Sequence, residues 1–309
     1  MSHARWSLVA AIFTMVVWGA NFAFVKFVLD ALGVGAFLFI RFLTMPLLAF
    51  LLLFIVFRRN LAATRPKPED LPRFIACGLV GHALHVGLVF WGINLSTAFS
   101  SALVLTSGPL FTLAILVVLG AERLRASQVA GTVLAMAGIV VFLSDKFTRG
   151  VVHAGLGDLV LLVAAAFFSL YTVMVRPLVQ RYGPVIVLAY TLAFGAPPML
   201  LLTIPSIVAA DLGRLTPMVW FGLVWAIVVS SVGGWMVWAW VNHVRGIARS
   251  APLMYLPPPV AGVVAWLTLG EQFTWLKIAG AAITMAGIAW AQFGGGRPPP
   301  REAAQPDSG

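Results

Sequence analysis

Residues 98–139 read AFSSALVLTSGPLFTLAILVVLGAERLRASQVAGTVLAMAGI, and residues 248–288 read ARSAPLMYLPPPVAGVVAWLTLGEQFTWLKIAGAAITMAGI. The first copy reaches Thr106-Ser107-Gly108-Pro109, runs apolar to Leu119-Gly120-Ala121-Glu122 and closes on Gly131 and Met136-Ala137-Gly138-Ile139. The second reaches Tyr255-Leu256-Pro257-Pro258-Pro259, passes Leu269-Gly270-Glu271 and closes on Gly280 and Met285-Ala286-Gly287-Ile288. The offset is 150 up to Gly120 and 149 after one residue is lost beside the glutamate. Chance does not keep so many positions in register, so the stretch marks an internal duplication of about half the chain.

The surrounding sequence sets the fold class. Of 309 residues, 61% are hydrophobic and 10% charged, which is far too apolar for a soluble domain of this size. A membrane span needs about 20 mostly apolar residues. Ten such runs follow one another: 7–29, 34–57, 72–94, 97–119, 126–143, 156–179, 183–206, 217–243, 248–269 and 275–293. The expected fold is an all-α membrane protein of ten transmembrane helices in two inverted five-helix repeats. The first repeat covers 1–143, a linker 144–155, the second repeat 156–293, and a Gly- and Pro-rich tail 294–309 reads as disordered.

The net charge of +10 does not indicate nucleic acid, because the basic residues sit in short loops between apolar runs. With Cys77 as its only cysteine, the chain forms no intramolecular disulfide. No G-x-x-x-x-G-K pattern appears, so nothing points to an ATPase engine. The first apolar run is as long as a span and holds Asn21 and Lys26, which reads against a cleavable signal peptide.

Lysine and arginine set the orientation. If the N-terminus is placed on side one, 14 of the 20 basic residues fall in side-one loops and 4 in side-two loops. Lys26 and Arg41 lie within spans. Both termini are therefore expected in the cytoplasm. Five spans per repeat is odd, so the second copy enters the membrane from the opposite face. Inverted repeats of this kind recur in secondary transporters, with substrate bound near the midplane between the halves. The offset of 150 pairs Trp18 with Phe168, Asn21 with Tyr171, Lys26 with Arg176 and His85 with Trp235.

Several residues are candidates for a site. Pro109 falls mid-span 4 and Pro257-Pro258-Pro259 mid-span 9, where proline frees carbonyls such as those of Leu105, Leu253, Met254 and Tyr255. Such groups need protein, water or ligand as partners in lipid, so the prolines read either as crossing kinks or as cavity shapers. Thr106-Ser107 makes the first copy more hydroxylic there than Tyr255-Leu256-Pro257 makes the second.

His82 and His85 share a face of span 3. They read as neutral imidazoles bonded to neighbouring helices or as substrate contacts. Without a third Cys, His or carboxylate nearby they make a poor metal set, and no cofactor is implied. Trp18 and Asn21 in span 1, Tyr171 in span 6, and Trp235 and Trp238 in span 8 read as packing or as the wall of a cavity for a flat side chain with a polar head.

Trp6, Trp220, Trp275 and Trp290 are interface anchors. Lys26 and Arg41 read as snorkelling toward side two, or alternatively as a positive field that attracts carboxylates. Glu122 and Glu271 are expected to cap or pair structurally, and Gly131, Gly138, Gly280 and Gly287 to let spans 5 and 10 pack closely as scaffold. No Asp or Glu sits mid-span, which argues against strong proton coupling.

The run Trp18-Gly19-Ala20-Asn21-Phe22 with Lys26, Arg41 in span 2, the Pro-to-Gly-Glu segments and the Gly-rich spans 5 and 10 resemble the EamA-type drug/metabolite transporter family over residues 7–293. Within it the chain looks most like the YddG-type exporters of aromatic and other neutral amino acids. The resemblance implies ten helices, cytoplasmic termini, a bacterial inner-membrane location and a central cavity between two five-helix halves. The implied partners are a small-molecule substrate of the amino-acid class and the lipid bilayer, with uncoupled export by alternating access. Export of another small metabolite or an organic cation, a membrane enzyme, and a channel or scaffold are the competing readings.

Overall fold

A computed structural model describes residues 3–120, 125–148, 152–245 and 251–293. Within helices, side chains that include Trp235 and Asn242 fall outside the described set. All regular structure among the described residues is helical. In chain order the helices are α1 (His3–Leu32), α2 (Val34–Phe57), α3 (Leu71–Gly78), α4 (His85–Leu95), α5 (Ala98–Leu105), α6 (Gly108–Val118) and α7 (Ala126–Thr148). The second half holds α8 (Val152–Tyr182), α9 (Pro184–Ala209), α10 (Pro217–Val224), α11 (Gly234–Arg245), α12 (Pro257–Leu269) and α13 (Trp275–Phe293).

Eight helical stretches of the described residues are long and apolar enough to cross a membrane, and Leu253–Leu269 and Trp275–Ala291 are shorter apolar helices. Their outer faces are apolar, with Leu201, Leu202 and Val208 widely exposed, as a lipid-facing surface requires. The expected interface tryptophans Trp6, Trp220, Trp275 and Trp290 are all exposed. The linker is shorter than the sequence suggests: α7 continues to Thr148 and α8 begins at Val152. Charged residues such as Asp145 sit on these helical extensions, and Asp145 accepts a 2.7 Å bond from Thr274. The tail 294–309 lies outside the described residues, as do Glu122 and the 246–250 turn.

The duplication is visible in the backbone. Among the described residues, the glycines with positive φ are Gly33 (81°) and Gly183 (79°), Gly120 (65°) and Gly270 (65°), two pairs each 150 apart. Each ends or links helices where a left-handed or extended positive-φ conformation excludes other residues. A π-helical segment, Leu79–Leu84, joins α3 to α4, and another, Trp225–Gly233, joins α10 to α11 at the matching place. Such widened turns often mark functional positions.

The same symmetry builds the seam between α7 and α13. A Cβ on Gly131 would lie 2.3 Å from the Ala291 amide nitrogen, and one on Gly287 2.3 Å from that of Ala135. Gly138 and Gly280 stand in the same relation to Thr284 and Phe142, at 2.4 and 2.5 Å. As α7 ascends from 131 to 142, its contacts on α13 descend from 291 to 280, so the helices are antiparallel. Exchanging each glycine for its repeat equivalent returns the same contacts, which places an internal two-fold axis across this seam. The expected close packing of spans 5 and 10 is packing against one another.

The prolines act differently from mid-span kinks. Pro109 and Pro257 lie in the first turns of α6 and α12, where the missing N–H is needed least. Ala98–Val118 and Ala251–Leu269 are therefore each two helical pieces, broken near the proline because it has no N–H with which to continue the hydrogen-bond ladder of the preceding piece. In span 4, the break falls at Thr106-Ser107, and in span 9 a short 3-10 turn, Ala251–Tyr255, precedes α12.

Candidate functional site

The two π segments carry two clusters related by the internal axis. In the first, α3 meets α9 backbone to backbone: a Cβ on Gly78 would be 2.6 Å from the Thr191 carbonyl, and one on Gly195 would be 2.5 Å from the Gly78 carbonyl. That approach puts His82 Nε2 3.1 Å from Thr191 Oγ1. Thr191 spends its own proton on the Val187 carbonyl at 2.7 Å, so the imidazole donates and Thr191 accepts. The His82 ring meets Tyr171 edge-on at 5.5 Å. Tyr171 lies on Gly81, whose Cβ would be 2.2 Å from that ring. His85 Nδ1 donates to the Ala164 carbonyl at 2.9 Å and its ring tilts against Phe168 at 5.0 Å.

The second cluster surrounds Trp225–Gly233. Trp18 Nε1 donates to the Ser230 carbonyl at 3.0 Å, and its ring meets Trp238 edge-on at 5.8 Å. Gly234 makes room, since a Cβ there would sit 2.4 Å from Trp18 Nε1. One turn on, Phe24 packs on Trp225 at 4.9 Å. Ser231 donates to the Ala226 carbonyl five residues back at 2.8 Å and accepts from Arg41 Nη1 at 3.2 Å. The Arg41 guanidinium lies over the Phe90 ring, 5.0 Å from its centroid. The expected snorkelling of Arg41 is thus corrected: its head turns inward, because Ser231 and Phe90 receive it.

Lys26 behaves as a residue near a helix end should. It bonds the Asn94 carbonyl and lies 3.6 Å from Asp30. Arg41 makes no such ion pair with any described carboxylate. A charge in apolar surroundings without a counter-charge costs several kcal/mol. Asn21, between Trp18 and Phe24 on the same helix face, has a buried Oδ1 with no hydrogen-bond partner.

Of the candidate residues, Trp18, Asn21, His82, His85, Tyr171 and Trp238 thus gather around the two π segments. The side chain of Trp235 lies outside the described residues. His82 and His85 hydrogen-bond to different helices, α9 and α8, while both rings pack on α8 through Tyr171 and Phe168. The remaining candidates lie at the helix breaks. The hydroxyls of Thr106 and Ser107 bond back to Leu103 and Val104. Pro109 is exposed in an apolar cleft of about 360 Å³ between α6 and α8, beside Thr112, Phe168 and Thr172. The Pro257 carbonyl would be 2.7 Å from a Cβ on Gly19, so Pro257 is packed on α1. Tyr255 packs toward the α7–α13 seam with Leu110 and Ile288.

Sequence reasoning singled out neither Thr191 nor Ser231. The offset of 150 contains the signal: it pairs Arg41 with Thr191 and Gly81 with Ser231. Glu271, read as a capping or pairing residue, accepts from the Ala98 amide at 2.6 Å and the Phe99 amide at 3.4 Å. A loop of the second repeat thus caps the first turn of α5 in the first, a site that favours negative charge.

Comparison with known proteins adds an independent line. The model of the EamA-like transporter family matches twice, over residues 5–144 and 155–292. A probable terminal-alkyne amino-acid exporter of Streptantibioticus cattleyicolor is 29% identical, with 93% of each chain covered. Probable amino-acid metabolite efflux pumps of Salmonella typhimurium and Escherichia coli are each 27% identical, over 92% and 93% of this chain and 94% of theirs. A solved crystal structure with 18% identity aligns at a TM-score of 0.58, covering 93% of this chain and 97% of that one, and supports the fold alone.

Proposed function

Because the chain belongs to the EamA-like transporter family, we propose that it is a ten-helix secondary transporter that exports aromatic and other neutral amino acids across a bacterial inner membrane. Both termini lie in the cytoplasm, and transport is by alternating access. The observation that carries this reading is the pair of two-fold-related clusters at the π segments, where Trp18, Trp238, Tyr171, His82 and Phe168 bring ring surfaces together between the halves. Rings of that kind suit a flat apolar side chain, and the imidazole and indole groups suit a polar head. The relatives described as amino-acid exporters support the same substrate class.

Transport is uncoupled in this reading. Asp30, Asp145 and Glu271 lie near helix ends, Asp158 in the second turn of α8 accepts from Ser96, and His82 and His85 are each already committed to a protein acceptor. A proton relay needs a titratable group free to exchange. An organic cation is the second reading, favoured by the Trp18–Trp238 pair, whose faces attract cations. The half-buried positive charge of Arg41 opposes it.

The test is efflux from proteoliposomes loaded with labelled phenylalanine or leucine. Saturable efflux that a protonophore leaves unchanged is expected. Absence of saturable flux of any amino acid would sink the assignment, and collapse of flux with the proton gradient would sink uncoupled transport alone.

A further inference from the structure

We propose that Arg41 binds the carboxylate of the substrate, and that Asn21 faces its ammonium group. The proposal rests on the amino-acid reading above and names the residues that would make it specific.

A guanidinium carries five N–H donors in a rigid fork that matches a carboxylate. Only Nη1 of Arg41 has a hydrogen-bond partner among the described residues, the Ser231 hydroxyl. Ser231 has given its proton to Ala226, so it offers Arg41 a lone pair and nothing more. Phe90 covers one face of the fork. The other donors meet no carboxylate and no carbonyl among the described residues, yet the residue is half-buried in a span. Lys26, the other basic residue noted within a span, is matched by Asp30 and the Asn94 carbonyl. Two cations in neighbouring spans therefore differ: one is neutralised by the fold and one is left open.

The acceptor side is equally unmatched. Trp18 touches Ser230, and Phe24 touches Trp225, so Asn21 between them points toward the same π segment. The internal symmetry agrees: Tyr171, its equivalent, packs on Gly81, the equivalent of Ser231. Asn21 Oδ1 is buried there without a donor. Unused donors on Arg41 and an unused acceptor on Asn21 thus face the same π segment, complementary to the two charged ends of an α-amino acid. A purely structural Arg41 needs only the bond to Ser231, which a glutamine also makes.

The experiment measures ligand binding to the purified full chain in nanodiscs, using phenylalanine, 3-phenylpropionate, which lacks the ammonium, and phenethylamine, which lacks the carboxylate. Arg41→Gln is expected to weaken phenylalanine and 3-phenylpropionate by at least about tenfold, as loss of a bidentate charged pair does, and to leave phenethylamine within about twofold. Arg41→Lys should retain part of the carboxylate affinity. Asn21→Leu should weaken phenylalanine and phenethylamine but not 3-phenylpropionate. Equal loss for all three ligands in Arg41→Gln, or none for either carboxylate, overturns the proposal. So does a wild-type chain that binds neither carboxylate. Should Arg41→Gln fail to fold, Arg41→Lys and Ser231→Ala carry the same comparison. Carboxylate binding through Arg41 without amino-acid efflux from liposomes would remove the transport assignment and leave this site standing.

Discussion

The α7–α13 seam and the two π-segment clusters obey the same two-fold axis and treat it in opposite ways. At the seam, symmetry is kept residue for residue: Gly131 and Gly280, Gly138 and Gly287 make interchangeable contacts with opposing backbone. At the clusters the frame repeats while the chemistry diverges. Thr191, bonded to His82, stands where Arg41, bonded to Ser231, stands in the other half, and Tyr171 stands where Asn21 does. Packing needs only small residues at matched heights, so a duplicated sequence can keep them in both copies. A ligand without two-fold symmetry cannot be met equally by two identical walls. The difference separates positions that symmetry holds alike from those that, on the proposed function, recognise a substrate.

Five substitutions probe this contrast. The largest effect is expected at the seam. Gly138→Leu and Gly287→Leu each drive a side chain into backbone less than 2.5 Å from the new Cβ. Each should cost about 3 kcal/mol or more, and the two should match because they are symmetry equivalents. Thermal melting of the solubilised protein reads both, and a clear inequality would break the symmetry argument.

The next effect is at the first cluster. Thr191→Val removes the acceptor of the buried His82 N–H and should cost about 1–3 kcal/mol. Ser231→Ala should cost less, because the Arg41 it abandons already carries unmatched donors. Reversal of that order in the same melting assay would assign the structural role to Arg41 instead. The smallest effect is Glu271→Gln. The amide still accepts from Ala98 and Phe99 but loses its charge at a helix start, costing less than about 1 kcal/mol. A larger drop in melting temperature would mean that this cap holds the two repeats together.

Much of this was legible in the chain itself, for stated reasons. Lipid makes apolar runs into helices, so the spans follow from hydropathy, and the repeat offset makes the two halves equivalent. The glycines of the seam were legible because close approach has a residue signature. The helix breaks were legible only to within a few residues, since a proline marks a break without saying that it will start the next piece. The π segments left no residue signal at all. They depend on tertiary partners, as Ser231 bonding back to Ala226 and Gly81 receiving Tyr171 illustrate. Arg41 was visible as a charge in a span, but its inward turn depends on Phe90 and Ser231, which only folding brings near.

The seam also compares with an interface between subunits. In a homodimer with two-fold symmetry, residue i of one subunit meets j of the other, and j meets i. The contacts of Gly131 with Gly287 and of Gly138 with Gly280 have that form within one polypeptide. They have the form of a two-fold dimer interface folded into a single polypeptide. Two identical subunits must change together, whereas two separately encoded copies within one chain are free to diverge. Position 41 is arginine while its equivalent, 191, is threonine, so a self-complementary frame carries a head and a tail.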